Sequence, residues 1–330
     1  MRQYGETAAL LVLLLLALAA AGCGSGQLSG SSTAANTNGY QVTDTQGSVL
    51  KLPRKPQRII PINIAIDEIV LGMVQPERVA AVSYLADDPG ISTIADKAGR
   101  VPVKMRDSNA EMILSLQPDL VIVPDWSRGD LIQTLRELGL PVFVCKGPAS
   151  VLEVKQAIRE ISQAIGEEEA GADILSRMDG ELADIADDVA RIPPERRKSV
   201  VLISQMNDYG GKGTLFDDIC GYAGVINGAA AAGLGKNDGL TKECIVKANP
   251  DLILLPTWRN GTVDVDKLKN DVQHDPALQS VKAVRTQQLA QLPDAYLYCA
   301  SQDIVRAIRD IYNAAYPESE RSAAHGRGEE

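Results

Sequence analysis

Histidine is almost missing from this chain: its 330 residues contain two, His274 and His325. A zinc or manganese site built on several histidines is therefore disfavoured. Five cysteines are present, but no two form a Cys-x-x-Cys pair, so a zinc ribbon or iron–sulfur cluster is not expected. The chain has no Gly-x-Ser-x-Gly elbow, no HExxH and no plausible Ser-His-Asp set, which removes the common hydrolase signatures. Asp and Glu are abundant, yet nothing in the sequence places a pair of them in one cleft for glycoside cleavage. Basic excess is missing too. Lys and Arg total 33 against 43 Asp and Glu, a net charge of −10, a poor match to nucleic acid or anionic lipid. Aromatic residues make up 4% of the chain, and only two are Trp.

Long apolar runs are also scarce, with one exception. Ala8 to Ala21 is unbroken and apolar, shorter than the roughly 20 residues that span a bilayer comfortably. It has the length of a secretory h-region. Ala20, Ala21 and Gly22 follow as small residues, then Cys23. This resembles a bacterial lipobox, in which the cysteine is acylated, although Ala20 stands where Leu is usual. Residues 1–22 are thus expected to be a signal peptide and Cys23 a lipid anchor holding the protein at the membrane face. Residues 23–39, rich in Gly, Ser, Thr and Asn, read as the lipidated Cys and a flexible tether. Residues 318–330 read as a polar tail. Export would permit disulfides; Cys145, Cys220, Cys244 and Cys299 are either paired or buried thiols.

The core of the chain contains a repeat. Glu111 to Gly129 reads EMILSLQPDLVIVPDWSRG, and Glu243 to Gly261 reads ECIVKANPDLILLPTWRNG. Glu, Pro-Asp-Leu, Pro, Trp and Gly recur in register. Two copies indicate a duplicated structural unit rather than a solenoid, which needs three or more. Each copy predicts a short helix carrying the Glu, then a buried strand (Leu120–Val123, Leu252–Leu255), then a turn at Pro-x-Trp and another helix. Each Trp therefore falls just past the carboxyl end of a parallel strand, the edge where α/β sheets bind ligands.

Elsewhere, Tyr40 to Leu52 predicts a hairpin turning at Gln46-Gly47. Strands are predicted at Arg58–Pro61, Val79–Ser83, Pro141–Cys145 and Ser199–Ser204, and a helix at Ile66–Met73. Ser150 and Glu153 form a capping box opening a helix to Ile165. A longer apolar period runs from Ala170 to Ile192 and stops at Pro193-Pro194, and a last helix spans Gln302 to Tyr316. The expected fold is α/β: two similar α/β lobes with mostly parallel sheets, joined by one long helix, with a ligand cleft between them. Its parts are an N-terminal lobe at 40–148, connecting helices at 149–194 including the interlobe backbone helix, and a C-terminal lobe at 195–317.

Pro56-Gln-Arg-Ile-Ile60, Asn109 to Leu120, Gly213-Thr-Leu-Phe-Asp-Asp218 with Ala223-Gly224, Asn249-Pro-Asp-Leu252 and Ala315-Tyr-Pro-Glu318 occur in that order. Together the chain resembles the helical-backbone class of ABC-transporter substrate-binding proteins, which serve iron–siderophore, haem and cobalamin importers. The resemblance covers nearly all of residues 40 to 318. It implies a receptor, not an enzyme, that captures a corrinoid or ferric-siderophore ligand and delivers it to a permease with its ATPase. A haem receptor of the same class and a lipid-anchored hydrolase on a two-lobe fold are the alternatives. It also implies that Glu111 and Glu243, one per lobe, dock on permease arginines. No intrinsic cofactor is expected; cobalt or iron arrives with the ligand. The location is the cell membrane, lipid-anchored and facing the periplasm or exterior, as a monomer without nucleic acid.

The ligand-binding candidates are Trp126 and Trp258, suited to a flat or bulky ligand, with Arg128 and Arg259 beside them for ligand carboxylate or phosphate. Asn63, and Tyr209 with Lys212, occupy the loops after the first strand of each lobe. Tyr296 and Tyr298 fit a late cleft loop, where a tyrosinate could also ligate iron.

Overall fold

Two parallel sheets, each buried on both faces, organise the chain. In the computed structural model, residues 39–206, 209–298 and 300–318 are described. The segment before Gly39, including Cys23, together with Cys299 and the tail beyond Glu318, lies outside the described residues. Among those described, no helix is long and apolar enough to cross a membrane.

The first half opens with a hairpin, β1 (Tyr40–Thr43) and β2 (Val49–Leu52), pairing Tyr40 with Leu52. Then follow β3 (Ile59–Pro61), α1 (Ile64–Met73), β4 (Val82–Ser83), α2 (Ala95–Ala98), β5 (Lys104–Met105), α3 (Ala110–Ser115), β6 (Leu120–Pro124), α4 (Gly129–Glu137) and β7 (Val142–Cys145). β3, β6 and β7 make a parallel sheet in that order, and β4 pairs with β5 beside it. The predicted strand over Val79–Ser83 is shorter than expected. A 3-10 turn at Pro76–Arg78 leads into it, and Val79 makes only a single bridge to Ile59.

Two helices lead to the second half: α5 (Val151–Ile165) and α6 (Glu168–Ala190). Ser150 caps α5 by accepting from the Glu153 N–H, and the Glu153 carboxylate accepts from the Ala149 N–H, as a capping box requires. The second half holds β8 (Ser199–Leu202), α7 (Leu215–Tyr222), β9 (Ile226–Asn227), α8 (Gly228–Ala231), α9 (Lys242–Ala248), β10 (Leu252–Leu255), α10 (Val265–His274), α11 (Lys282–Arg285), β11 (Leu289–Gln291), α12 (Asp294–Leu297) and α13 (Ile304–Ala315). Its four strands are all parallel, in the order β11-β10-β8-β9.

Here the repeat is not perfect. In the first half α4 starts three residues after Trp126, whereas in the second the chain turns at Asn260-Gly261 before Asp264 caps α10. Each sheet has an outer apolar layer of its own, around Ile113 and Leu135 in one and Ile245 and Leu278 in the other. The inner faces share one apolar cluster running from Ile59 and Phe143 through Ile158, Ile174 and Ile185 to Phe216, Leu254 and Ile308. The lobes are therefore joined by packed α1, α5, α6, α7 and α13 and not by α6 alone.

Close packing reaches the loops as well. A Cβ built on Gly211 would lie 1.9 Å from the Gly235 carbonyl oxygen, and the Lys212 N–H donates to the Leu234 carbonyl at 2.9 Å. Gly211→Ala is expected to force these two loops apart at a cost of about 1–3 kcal/mol, as overpacking usually does. Chemical denaturation of the variant against the parent checks this, and an unchanged midpoint would refute it.

Candidate functional site

The carboxyl ends of β3, β6 and β7 face the loop after β8 and the start of α7 across a cleft. A cavity of about 450 Å³ lies there. From the first lobe, Asn63 with Ile64, Ala65, Ile66 and Ile69 of α1, Pro124 and Trp126 at the end of β6, and Cys145 to Ala149 at the end of β7 line it. From the second come Met206 and Tyr209 after β8, Thr214 and Leu215 at the start of α7, Lys236 and Asn237 after α8, and Tyr298 and Ala300 after α12. Ala157 and Ile161 of α5 form the back. The lining is largely apolar with a few placed polar groups, as small-molecule sites generally are.

Trp126 is 66% exposed, so its indole stands at the cavity wall with one face open. Glycine lets it sit close: a Cβ on Gly147 would come within 2.7 Å of the indole Cδ1 and displace the ring. Asn63 is held by its own capping role, its Oδ1 accepting from the Ala65 N–H at 2.7 Å. Tyr209 and Tyr298 pack edge to face with ring centres 5.0 Å apart, a favoured aromatic geometry. The Tyr209 hydroxyl donates to the Leu297 carbonyl. Burial pushes the Tyr298 phenol above its ordinary pKa, so it is neutral. Burial likewise pushes the Cys145 thiol up to about 12. Cys145, Cys220 and Cys244 are all free thiols.

The other sequence candidates lie elsewhere. Trp258, the repeat partner of Trp126, does not line the cavity. Its indole N–H crosses to the first lobe and donates to Asp88 Oδ2 at 2.8 Å, against Gly90. Its own backbone is pinned, with the Trp258 and Thr257 N–H groups both donating to buried Asp294 Oδ2. Arg128 and Arg259 are drawn onto the surface of their own lobes by Asp130 (2.6 Å) and Asp266 (2.8 Å). Lys212 is exposed outside the cavity. Tyr296 lies in a separate depression with Arg306, whose guanidinium sits 5.4 Å from its ring centre. Glu111 on α3 and Glu243 on α9 are both exposed. His274 is exposed on α10, with Nδ1 2.9 Å from the Asn270 carbonyl. Sequence reasoning missed Lys146, Lys236 and Asn237, although Lys146 directly follows β7 as Trp126 follows β6.

A buried polar network ties the lobes behind the cavity. Glu68 on α1 is fully buried. Its Oε2 lies 2.5 Å from Ser301 Oγ, and its Oε1 accepts from the Thr93 N–H at 2.8 Å. The Thr93 hydroxyl lies 2.9 Å from both Glu68 Oε1 and Asp303 Oδ2, yet it carries a single proton. Both contacts are hydrogen bonds only when one carboxyl is protonated. Burial raises the Glu68 pKa from its ordinary value and the charge of Asp303 adds to this, while the hydrogen bonds from Ser301 and Thr93 oppose it.

The family profile described as periplasmic binding protein matches residues 81–296, well over half of the chain. The chain belongs to the periplasmic binding protein family. This periplasmic binding protein is 26% identical over 297 residues to an uncharacterized ABC transporter substrate-binding lipoprotein of Bacillus subtilis (strain 168), covering 88% of this chain and 90% of that one. It is 25% identical over 214 residues to a cobalamin-binding protein of Halobacterium salinarum, covering 64% of this chain and 57% of that one. Among solved structures it is similar to a periplasmic heme-binding protein of Roseiflexus sp. RS-1 in its apo form, with a TM-score of 0.66 and 27% identity over 78% of this chain and 99% of that one. A Helicobacter pylori protein solved with Ni(II) shares the fold at a TM-score of 0.69 and 21% identity, over 86% of this chain and 91% of that one. Family membership makes the chain a solute-binding protein, and the cleft is its candidate solute site.

The network around Glu68 gives a pH test. A carboxyl whose pKa is raised on folding contributes stability that is full below its unfolded value, about 4.3, and is lost as pH rises through its folded value. Glu68→Gln keeps the neutral shape at every pH. The melting temperature of the variant minus that of the parent is expected to grow more positive from pH 4 to pH 8. A difference that stays flat or turns negative would show that Glu68 is ionised in the folded protein.

Proposed function

We propose that this protein is the lipid-anchored solute receptor of an ABC importer for a bulky metal chelate, a corrinoid or a ferric siderophore. It binds the chelate in the interlobe cleft, performs no chemistry on it, and hands it to a permease driven by an ATPase. The observation that carries this reading is the 66% exposed indole of Trp126 standing over a 450 Å³ apolar cavity between two lobes. A large aromatic surface is left open to water at the place where a flat ligand face can cover it.

Cys23 anchors the chain to the membrane with the cleft facing the periplasm or exterior, and the protein works as a monomer without a resident cofactor. Glu111 and Glu243 support the docking role: both are exposed, both lie in the first turn of a short helix, and they hold equivalent places in the repeat. Rim carboxylates of this kind set orientation and association rate more than affinity. A haem receptor using a tyrosinate is less well supported, because Tyr209 already donates to a carbonyl and the Tyr298 phenol is held neutral. A hydrolase is less well supported, because no histidine or carboxylate lines the cleft among the described residues.

Trp126→Ala is expected to weaken chelate binding by roughly 1–3 kcal/mol, as loss of an aromatic anchor does. Trp258→Ala should leave contact with the chelate intact and lower thermal stability through the lost bond to Asp88. Calorimetric titration with cyanocobalamin and ferric siderophores, paired with melting curves, separates the two. Equal binding by Trp126→Ala and parent would remove Trp126 from the site. The double variant Glu111→Ala/Glu243→Ala should bind its chelate normally yet support little ATP-driven uptake in vesicles bearing the importer, and undiminished uptake would end the docking assignment.

A further inference from the structure

Among the described residues the cleft contains two cations, and they come from opposite lobes. Lys146 follows β7, and Lys236 lies in the loop between α8 and α9. No carboxylate lines the cavity among the described residues. A carboxylate on the capping turn of α5 lies just outside and holds one of the two: Glu153 Oε1 is 2.5 Å from the Lys146 ammonium. The Lys146 hydrogen bond is the main reason the Glu153 pKa is lowered, the Ala149 N–H contributes next, and the charge of Lys236 reaches it from the other lobe. Asp125, held by the Gly147 N–H at 2.9 Å, also acts weakly on Lys146. The loop carrying Lys236 is built rather than loose. The Gly235 N–H donates to Asp238 Oδ2 at 2.7 Å, and Gly211 packs directly on the Gly235 carbonyl.

We infer that Lys146 and Lys236 select a ligand that presents an oxyanion, a carboxylate or a phosphate, at the mouth of the cleft, and that Glu153 is the resident counter-ion this oxyanion displaces from Lys146. The inference rests on the receptor reading above and adds the charge of the solute to it. A lysine is a mobile point charge on a long stem, so Lys146 can turn from Glu153 to a ligand without moving the backbone. Beside an apolar cavity the attraction is stronger than in bulk water. Because Glu153 competes for the same ammonium, its charge sets a threshold: a neutral ligand does not release Lys146, and an anionic one does. The arrangement also joins the lobes, since one ligand oxyanion held by both lysines bridges them.

The test uses the whole soluble receptor from Gly24 onward and three probe pairs that differ in their oxyanions. These are cyanocobalamin against dicyanocobinamide, which lacks the phosphodiester; haemin against its dimethyl ester; and ferric dicitrate against a neutral ferric trihydroxamate. Affinity is read from tryptophan fluorescence at low and high salt. The anion-bearing member of at least one pair should bind about 10-fold more tightly, as a charge-assisted contact implies, with the advantage shrinking in salt. Preference in the first pair alone that is lost on removing either lysine assigns a phosphate, and such a preference in the second or third a carboxylate. Lys146→Gln and Lys236→Gln should each erase most of that preference, while Glu153→Gln should move affinity for the anion-bearing member the other way, tightening it about 3-fold or more. Equal affinity within every pair, or weaker anion binding by Glu153→Gln with an unchanged melting curve, overturns the inference and leaves the receptor reading standing. Failure of the parent to bind any of the six probes overturns the receptor reading and the inference together.

Discussion

The shared apolar core is the constraint from which the rest follows. The inner faces of both sheets pack onto one continuous set of side chains contributed by α1, α5, α6, α7 and α13. Because this core is as dense as a protein interior, the two strand-end edges are held at a fixed separation, and the gap between them becomes the cleft. The buried Glu68–Thr93–Ser301–Asp303 network and the Trp258–Asp88 bond lie across the same junction. Polar bonds with these fixed partners add specificity of geometry to what the apolar contacts supply in energy. A receptor built this way presents a nearly preformed site, which lowers the ordering cost of binding.

The fate of the two tryptophans shows how a duplicated unit diverges. Both indoles follow a strand end, and both rest against a glycine, Gly147 for Trp126 and Gly90 for Trp258. Gly147 belongs to the same lobe as Trp126, so that indole stays at the cavity wall. Gly90 belongs to the opposite lobe from Trp258, so that indole leaves the cavity and becomes an interlobe contact. Equivalent residues thus line the cavity in one half and join the lobes in the other. The lysines follow a comparable logic: neither occupies a conspicuous motif, yet the two loop ends that carry them meet at the same mouth.

Much of the architecture was legible before any coordinates. The α5 cap at Ser150, the hairpin at Gly47, the paired strands Leu120–Pro124 and Leu252–Leu255 and the helices carrying Glu111 and Glu243 all follow from local patterns of apolar periodicity, caps and turns. Those patterns act over one or two turns of chain, so a linear reading captures them. The candidate site was legible only in part. Trp126, Asn63, Tyr209 and Tyr298 line the cavity, whereas Arg128, Arg259, Lys212 and Tyr296 do not. The arginines were misplaced by proximity: closeness to a Trp in sequence does not say whether Asp130 or Asp266 will draw the side chain outward instead.

The sequence by itself determined the α/β class, the duplication, the strand edge at which the cavity opens and the family, because each is written in periodicity, spacing or ordered motifs. Tertiary structure alone decided which of two equivalent tryptophans faces the cavity, that α6 shares the joining of the lobes with four other helices, that Glu68 is buried beside Asp303, and that Lys146 and Lys236 converge. The reason is physical. Helix and strand formation depend on neighbours within a few residues, whereas burial, pKa and side-chain direction depend on groups brought from far along the chain. Thr93 and Asp303 are 210 positions apart in sequence and 2.9 Å apart in the fold.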